Sequence, residues 1–150
     1  MELSCPSFEN GKEISKKYGY NNENFSPPLK ISSIPSGTKS LVLIMDDPDA
    51  MKAVGKIWTH WLLWNISPNI REIAENQIPI GSTQGKNDFG EIGYGGPAPP
   101  DKQHTYFFKI YALNKILDND QNYTKIELEG LIQSSIIDES KLTGTYTPDK

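Results

Sequence analysis

Cysteine is almost missing from this chain. Cys5 is the single thiol among 150 residues, so no internal disulfide can staple the fold, and a reducing cytoplasm is the expected location. Long apolar runs are missing too. None approaches the ~18 residues of a membrane-crossing helix, so no membrane span is expected. The opening MELSCPSFENGK carries Glu2 and lacks the cationic and apolar regions of a signal peptide. Lysine and arginine number 15 against 19 acidic residues, for a net charge of −4. They form no basic stripe, which argues against nucleic acid as a partner. Histidine occurs twice, at His60 and His104. Neither H-E-x-x-H nor a cysteine pair accompanies them, so no metal site is expected. No G-x-S-x-G elbow supplies a nucleophile, so no catalytic residue is assigned and a binding protein is favoured over an enzyme. The glycine-rich stretch near residue 95 lacks G-K-[ST] and precedes a strand pattern rather than a helix, so no nucleotide cofactor is implied.

What is present reads as a β-rich fold. Hydrophobic residues make up 36% of the chain, and its length suits one domain over 1–150. Eleven prolines and twelve glycines are spread along it, as for a chain of many turns and few long helices. LVLIM, residues 41–45, is a continuous apolar run that reads as a buried strand. In KIWTHWLLWNI, alternation places Trp58, His60, Leu62 and Trp64 on one face and Thr59, Trp61, Leu63 and Asn65 on the other. In TYFFKIYAL, His104, Tyr106, Phe108 and Ile110 share a face. Thr124 and Glu127 form a capping-box pattern ahead of Leu128, Leu131, Ile132 and Ile136, predicting the main helix near 124–136. KLTGTYTP suggests a short closing strand. Together these predict an all-β sandwich with one or two short helices.

Three places could carry chemistry. In MDDPDAM an apolar strand ends in Asp46 and Asp47, Pro48 turns the chain, and Asp49 can cap the turn; turn chemistry alone would explain all of them. His60 sits among aromatics, where a packed core histidine is the plain alternative. His104 and Tyr106 are two apart and so share a strand face. If strands 41–46 and 57–66 are antiparallel neighbours, Asp47 and His60 meet at one rim, and His104 with Tyr106 joins them if its strand lies alongside. Imidazoles and a phenol can donate to an oxyanion, and a carboxylate can fix one imidazole. The stretch GYGGPAPP would form a stiff wall beside them.

These motifs, DDPDA, W-x-H-W-L-L-W-N-I, GYGGPAPP and H-x-Y-x-F-x-x-Y-A-L, resemble the phosphatidylethanolamine-binding protein family, nearest to its short bacterial and archaeal Raf-kinase-inhibitor-like branch. FSPPLKI, IPSGTKSLVLIMDDPDA, GKNDFGEIGYGGPAPP and LTGTYTP extend the likeness over nearly the whole chain. The resemblance implies an antiparallel Greek-key β-sandwich with a small anion pocket at one end. It places in that pocket Asp47, Pro48, Asp49, His60, Gly96, Pro99, Pro100, His104 and Tyr106. It also implies a phosphate-like ligand, a protease or kinase as a possible protein partner, and a possible homodimer. This chain departs from the family's pattern in three places. Met51 replaces a usual proline, which would loosen that loop. Only Asp101, Lys102 and Gln103 join Pro100 to His104, and Thr105 replaces a common arginine. The resulting expectation is a cytoplasmic anion-binding protein of regulatory or inhibitor-like character. A protease or kinase inhibitor acting through the turn DPDAMKAVGK, and a weak hydrolase with a histidine base, are the alternatives.

Overall fold

Eight strands and two α-helices make up the computed structural model, which describes residues 1–149. In chain order they are β1 (Glu2–Ser4), β2 (Leu29–Ser32), β3 (Ser40–Asp47), α1 (Ala50–Val54), β4 (Trp58–Ile66), β5 (Glu72–Ile73), β6 (Thr83–Gln84), β7 (His104–Leu113), α2 (Lys125–Ile132) and β8 (Ile136–Tyr146). Pairing sorts them into a three-stranded sheet, β1-β2-β5, and a five-stranded sheet, β6-β4-β3-β7-β8. Every strand pairing is antiparallel. Within the larger sheet β7 returns through a long connection to lie beside β3, on the side opposite β4 and β6. That arrangement is the Greek-key order.

The apolar run of β3 is explained by burial on both faces. Leu41, Leu43 and Met45 join Trp61, Leu63, Phe108 and Ile110 in the core between the sheets. Val42 and Ile44 join Leu62 and Trp64 in a second core beneath Leu128 and Ile132 of α2. A strand covered on both sides reads as unbroken hydrophobicity rather than alternation.

The alternation read for β4 breaks at His60. Met45 pairs with Trp61 but Asp46 pairs with Thr59, so one extra residue, His60, is inserted into β4. A bulge of this kind puts two successive side chains on one side of the sheet. His60 therefore leaves the face of Leu62 and Trp64, which pack under α2, and meets Tyr106 of the inner core with ring centroids 5.1 Å apart. A second irregularity lies between Leu41 and Leu43, opposite Asn65, which adopts φ +56. Asn65 there donates to the Leu117 carbonyl at 2.8 Å and accepts from the Leu117 N–H at 2.8 Å, pinning the segment that leads towards α2.

The helix begins where the capping box predicts. The Thr124 side chain accepts the Glu127 N–H at 3.2 Å, and the Glu127 carboxylate accepts the Thr124 N–H at 2.9 Å. It ends sooner than expected. The α-helix stops at Ile132, a 3-10 turn covers Gln133–Ser135, and Ile136 opens β8. The closing strand is correspondingly eleven residues long rather than short. β8 pairs along the whole of β7, from Leu113↔Ile136 to His104↔Tyr146. That ladder, together with the β-branched pair Ile136–Ile137, outweighs the helical spacing of Ile136.

Candidate functional site

The topology brings the C-terminal end of β3 against the N-terminal ends of β4 and β7. Asp47 ends β3, His60 sits in the bulge of β4, and His104 and Tyr106 open β7. All four line one cavity of about 230 Å³, together with Trp58, Phe89, Ala98, Pro99, Pro100 and residues of α1. That volume lies below the roughly 300–1,000 Å³ typical of drug-sized ligands. The wall is largely apolar, with four polar groups set into it.

His104 lies between two carboxylates. Its Nδ1 donates to Asp47 Oδ2 at 2.6 Å and its Nε2 to Asp101 Oδ1 at 2.7 Å. With both carboxylates ionised, both ring nitrogens donate and the ring is an imidazolium. Burial pulls its pKa down, but the Asp47 and Asp101 carboxylates hold it above the ordinary value. Burial pushes the Asp47 carboxyl up although His104 pulls against it. Asp47 Oδ1 accepts the Asp49 N–H at 3.0 Å, and Asp49 Oδ2 accepts the Thr105 N–H at 2.8 Å. The turn after β3 is thereby tied to the start of β7.

His60 is in the opposite state. Its Nδ1 donates to the Gly95 carbonyl at 2.6 Å. Burial drives its pKa from 6.5 to about 4, so it is neutral at neutral pH. With the proton on Nδ1, its Nε2 is a lone-pair acceptor. Tyr106 is fully buried, and its hydroxyl has no hydrogen-bond partner among the described residues. Burial, reinforced by the Asp47 charge, raises its pKa, so it stays an O–H donor. Of the three donors expected at this rim, His60 has spent its N–H on Gly95 and His104 has spent both. Of these three the Tyr106 hydroxyl alone is uncommitted, and the Trp58 indole N–H on the same wall is likewise without a partner among the described residues.

The remaining expected residues divide. Pro99 and Pro100 line the cavity. Gly96 faces away from it. A Cβ there would meet the Tyr18 carbonyl oxygen at 2.0 Å, and its N–H donates to Asn24 Oδ1 at 2.7 Å. Its role is to let the loop press against residues 18–24. Gly95 does the same for Phe89, whose Cδ2 lies 2.5 Å from where a Cβ would stand. Phe89 in turn stacks on Tyr20 at 3.8 Å and sets its edge against His60 at 5.7 Å. Pro48 lines a different groove, with Phe107 and Lys109 on the outer face of the sheet. Asp49 acts through its hydrogen bonds rather than from the cavity wall. Met51 does not loosen its turn: its N–H, which a proline would lack, donates to the Pro48 carbonyl at 3.2 Å, and α1 closes at Gly55 with φ +82.

This architecture has close parallels. The family profile described as phosphatidylethanolamine-binding protein matches residues 4–147. The chain belongs to that family. A UPF0098 protein of Methanothermobacter thermautotrophicus is 40% identical over 151 residues, covering 97% of this chain and 98% of the relative. One from Chlamydia trachomatis is 41% identical, covering 99% and 100%. Among solved structures, the C. trachomatis homologue CT736 of the phosphatidylethanolamine-binding protein superposes with a TM-score of 0.91 at 40% identity, covering 99% of this chain and 97% of that one. E. coli YbcL, described as a new member of the mammalian PEBP family, gives 0.90 at 29%, covering 99% and 98%.

Three features of this phosphatidylethanolamine-binding protein family member lay outside the sequence expectation. Phe89, in the loop GKNDFGE, covers His60. Ala50, Ala53 and Val54 of α1 form one side of the cavity. Asp101, noticed only as part of a short connection, binds His104. An acid three residues before a histidine that opens a strand was its one visible signal.

Proposed function

We propose that the cavity binds a small phosphoryl-type anion. One observation carries the reading: the Tyr106 hydroxyl, fully buried and without a protein partner, stands on the cavity wall with the His60 ring 5.1 Å and the His104 ring 6.3 Å from its own. A buried donor left unpaired costs about 1–3 kcal/mol, which a ligand oxygen would recover. His104 supplies the positive charge, and hydrogen bonds from a charged donor are stronger than neutral ones. The neutral His60 offers an acceptor for a protonated ligand oxygen. A hydrogen phosphate group, bearing both a P–OH and ionised oxygens, matches that mixed set better than a fully ionised or aprotic anion. The small preformed volume limits the loss of ordering entropy on binding. Calorimetric titration with inorganic phosphate and small phosphate monoesters tests this. Saturable binding that is lost in His60→Ala supports it, and equal binding by that variant contradicts it.

A second reading, docking of a protein partner on the cavity rim, is favoured by the exposed apolar side chains around it. Val54, on the cavity wall, and Met51, about one turn before it in α1, are each 51% exposed. A regulatory or inhibitor-like role would use that rim. Met51→Asp, which lies outside the cavity wall, should then abolish capture of a protease or kinase that the wild-type protein retains, with phosphate binding intact.

A further inference from the structure

Asp101 lies in the three-residue connection between Pro100 and β7, and all three residues of that connection are exposed. Its side chain is 41% exposed, whereas the His104 side chain it contacts is 1% exposed. The contact is short, 2.7 Å from Oδ1 to Nε2. The other charged group on His104 is Asp47 from β3, 4% exposed and itself held by the Asp49 N–H. The two carboxylates therefore differ in kind. Asp47 is locked into the wall. Asp101 stands on an exposed connection, where rotation of its side chain can release His104. The other titratable groups near His104 are Tyr106 on its own strand and Tyr146, which pairs with it across β8.

Resting on the reading that this cavity takes a phosphoryl anion, we infer that Asp101 is a specificity-determining residue, an internal carboxylate that holds the ligand's place on His104 Nε2 and makes the site select phosphoryl groups over carboxylates. One N–H serves one acceptor well. A ligand oxygen reaches that N–H only after Asp101 gives it up. A tethered carboxylate competes at a high effective concentration, of millimolar order or more for a short connection. A free carboxylate exchanges like for like and cannot win. A phosphate brings about −1.5 to −2 charges near neutral pH and a third oxygen, which can also accept from Tyr106 and compensate for displacing Asp101.

The test uses the full chain and two probes, methyl phosphate and acetate, titrated calorimetrically into wild type, Asp101→Ala and Asp101→Asn near pH 6.5, where the monoester carries more than one charge and His104, held above its ordinary value, keeps its proton beside Asp47. Wild type should bind phosphate and ignore acetate. Asp101→Ala should bind phosphate roughly twofold to fivefold tighter, the range expected for removing a half-exposed ion pair. It should also gain saturable acetate binding. Asp101→Asn, which keeps the shape without the charge, should fall between the two and decides the matter if the alanine variant melts early. Unchanged or weaker phosphate binding in the variants, with acetate still excluded, overturns the inference and leaves the phosphoryl-site reading intact. Absence of phosphate binding in all three proteins overturns both.

Discussion

The His60 Nδ1 atom lies 2.6 Å from the Gly95 carbonyl oxygen, so the loop that walls the cavity also fixes the tautomer of the histidine inside it. The bulge in β4 delivers His60 to that carbonyl, and close packing of Gly95 and Gly96 on Phe89 and Tyr18 holds the carbonyl still. The consequence is a neutral imidazole beside a charged one, with a single free hydroxyl between them.

Burial of His60 has a pH signature. Its pKa falls from 6.5 to about 4 on folding. The unfolded chain takes up this proton below about pH 6.5, whereas the folded protein resists until about pH 4. The contribution to stability is thus complete above the unfolded value and is lost as pH falls through the folded one, worth up to about 3 kcal/mol. Denaturant unfolding at several pH values should show a shallower acid loss in His60→Gln than in wild type. Parallel curves would show that His60 does not titrate in this way. His104 contributes with the opposite sign. Its raised value makes its share complete below about pH 6.5 and lost as pH rises through the folded value, so the wild-type-minus-variant difference isolates His60.

Tyr106→Phe separates function from stability. Removing a buried hydroxyl that has no protein partner should leave thermal stability unchanged or raise it, by up to about 1 kcal/mol. The same change should weaken phosphate binding roughly tenfold, the value of one charge-assisted hydrogen bond. Lower stability with unaltered binding would assign the hydroxyl a structural role.

The wall loop predicts a clash. In Gly96→Ala the new Cβ meets the Tyr18 carbonyl oxygen, a backbone atom that side-chain rotation cannot move aside. Overpacking of this kind costs roughly 1–3 kcal/mol. The melting temperature should fall, and phosphate affinity with it, because Gly95 next door anchors His60. Full affinity in a destabilised variant would show that the Gly95–His60 contact tolerates movement of the loop.

Thr124→Ala is the control. Loss of the capping box should cost about 1 kcal/mol of stability. Because α2 covers the outer core and not the cavity, phosphate binding should be unaffected at temperatures where the protein is folded. A loss of affinity in the folded protein would mean that α2 communicates with the site.

Much of this was legible from the chain, and the exceptions share a cause. Apolar runs and turn residues marked β3, β4 and β7, and the antiparallel neighbourhood of β3 and β4, posed there as a condition, is met by their pairing. That adjacency alone put Asp47 near His60. The face of His60 was not legible, because alternation counts residues and cannot register one inserted by a bulge. The end of α2 was misplaced because Ile136 fits a helical spacing as well as a strand, and only pairing with β7 decides between them. Gly96 was assigned to the wall for its missing side chain, although that absence serves a contact with Tyr18 on the far side. The state of the donors was also hidden: which acceptor each N–H meets depends on the Gly95 carbonyl and on Asp101, both set by tertiary structure.

The proposed phosphoryl site sets a charged His104 and the Tyr106 hydroxyl against the ligand while His60 stays neutral. The chain has only two histidines, so ring ¹⁵N spectra recorded during titration with inorganic phosphate near neutral pH resolve both. One ring should show imidazolium shifts and the other a neutral Nδ1–H tautomer. Phosphate should saturably perturb the Nε2–H of the charged ring without protonating the other. Spectra that do not respond to phosphate, or that show His60 taking up a proton as phosphate binds, would contradict that arrangement.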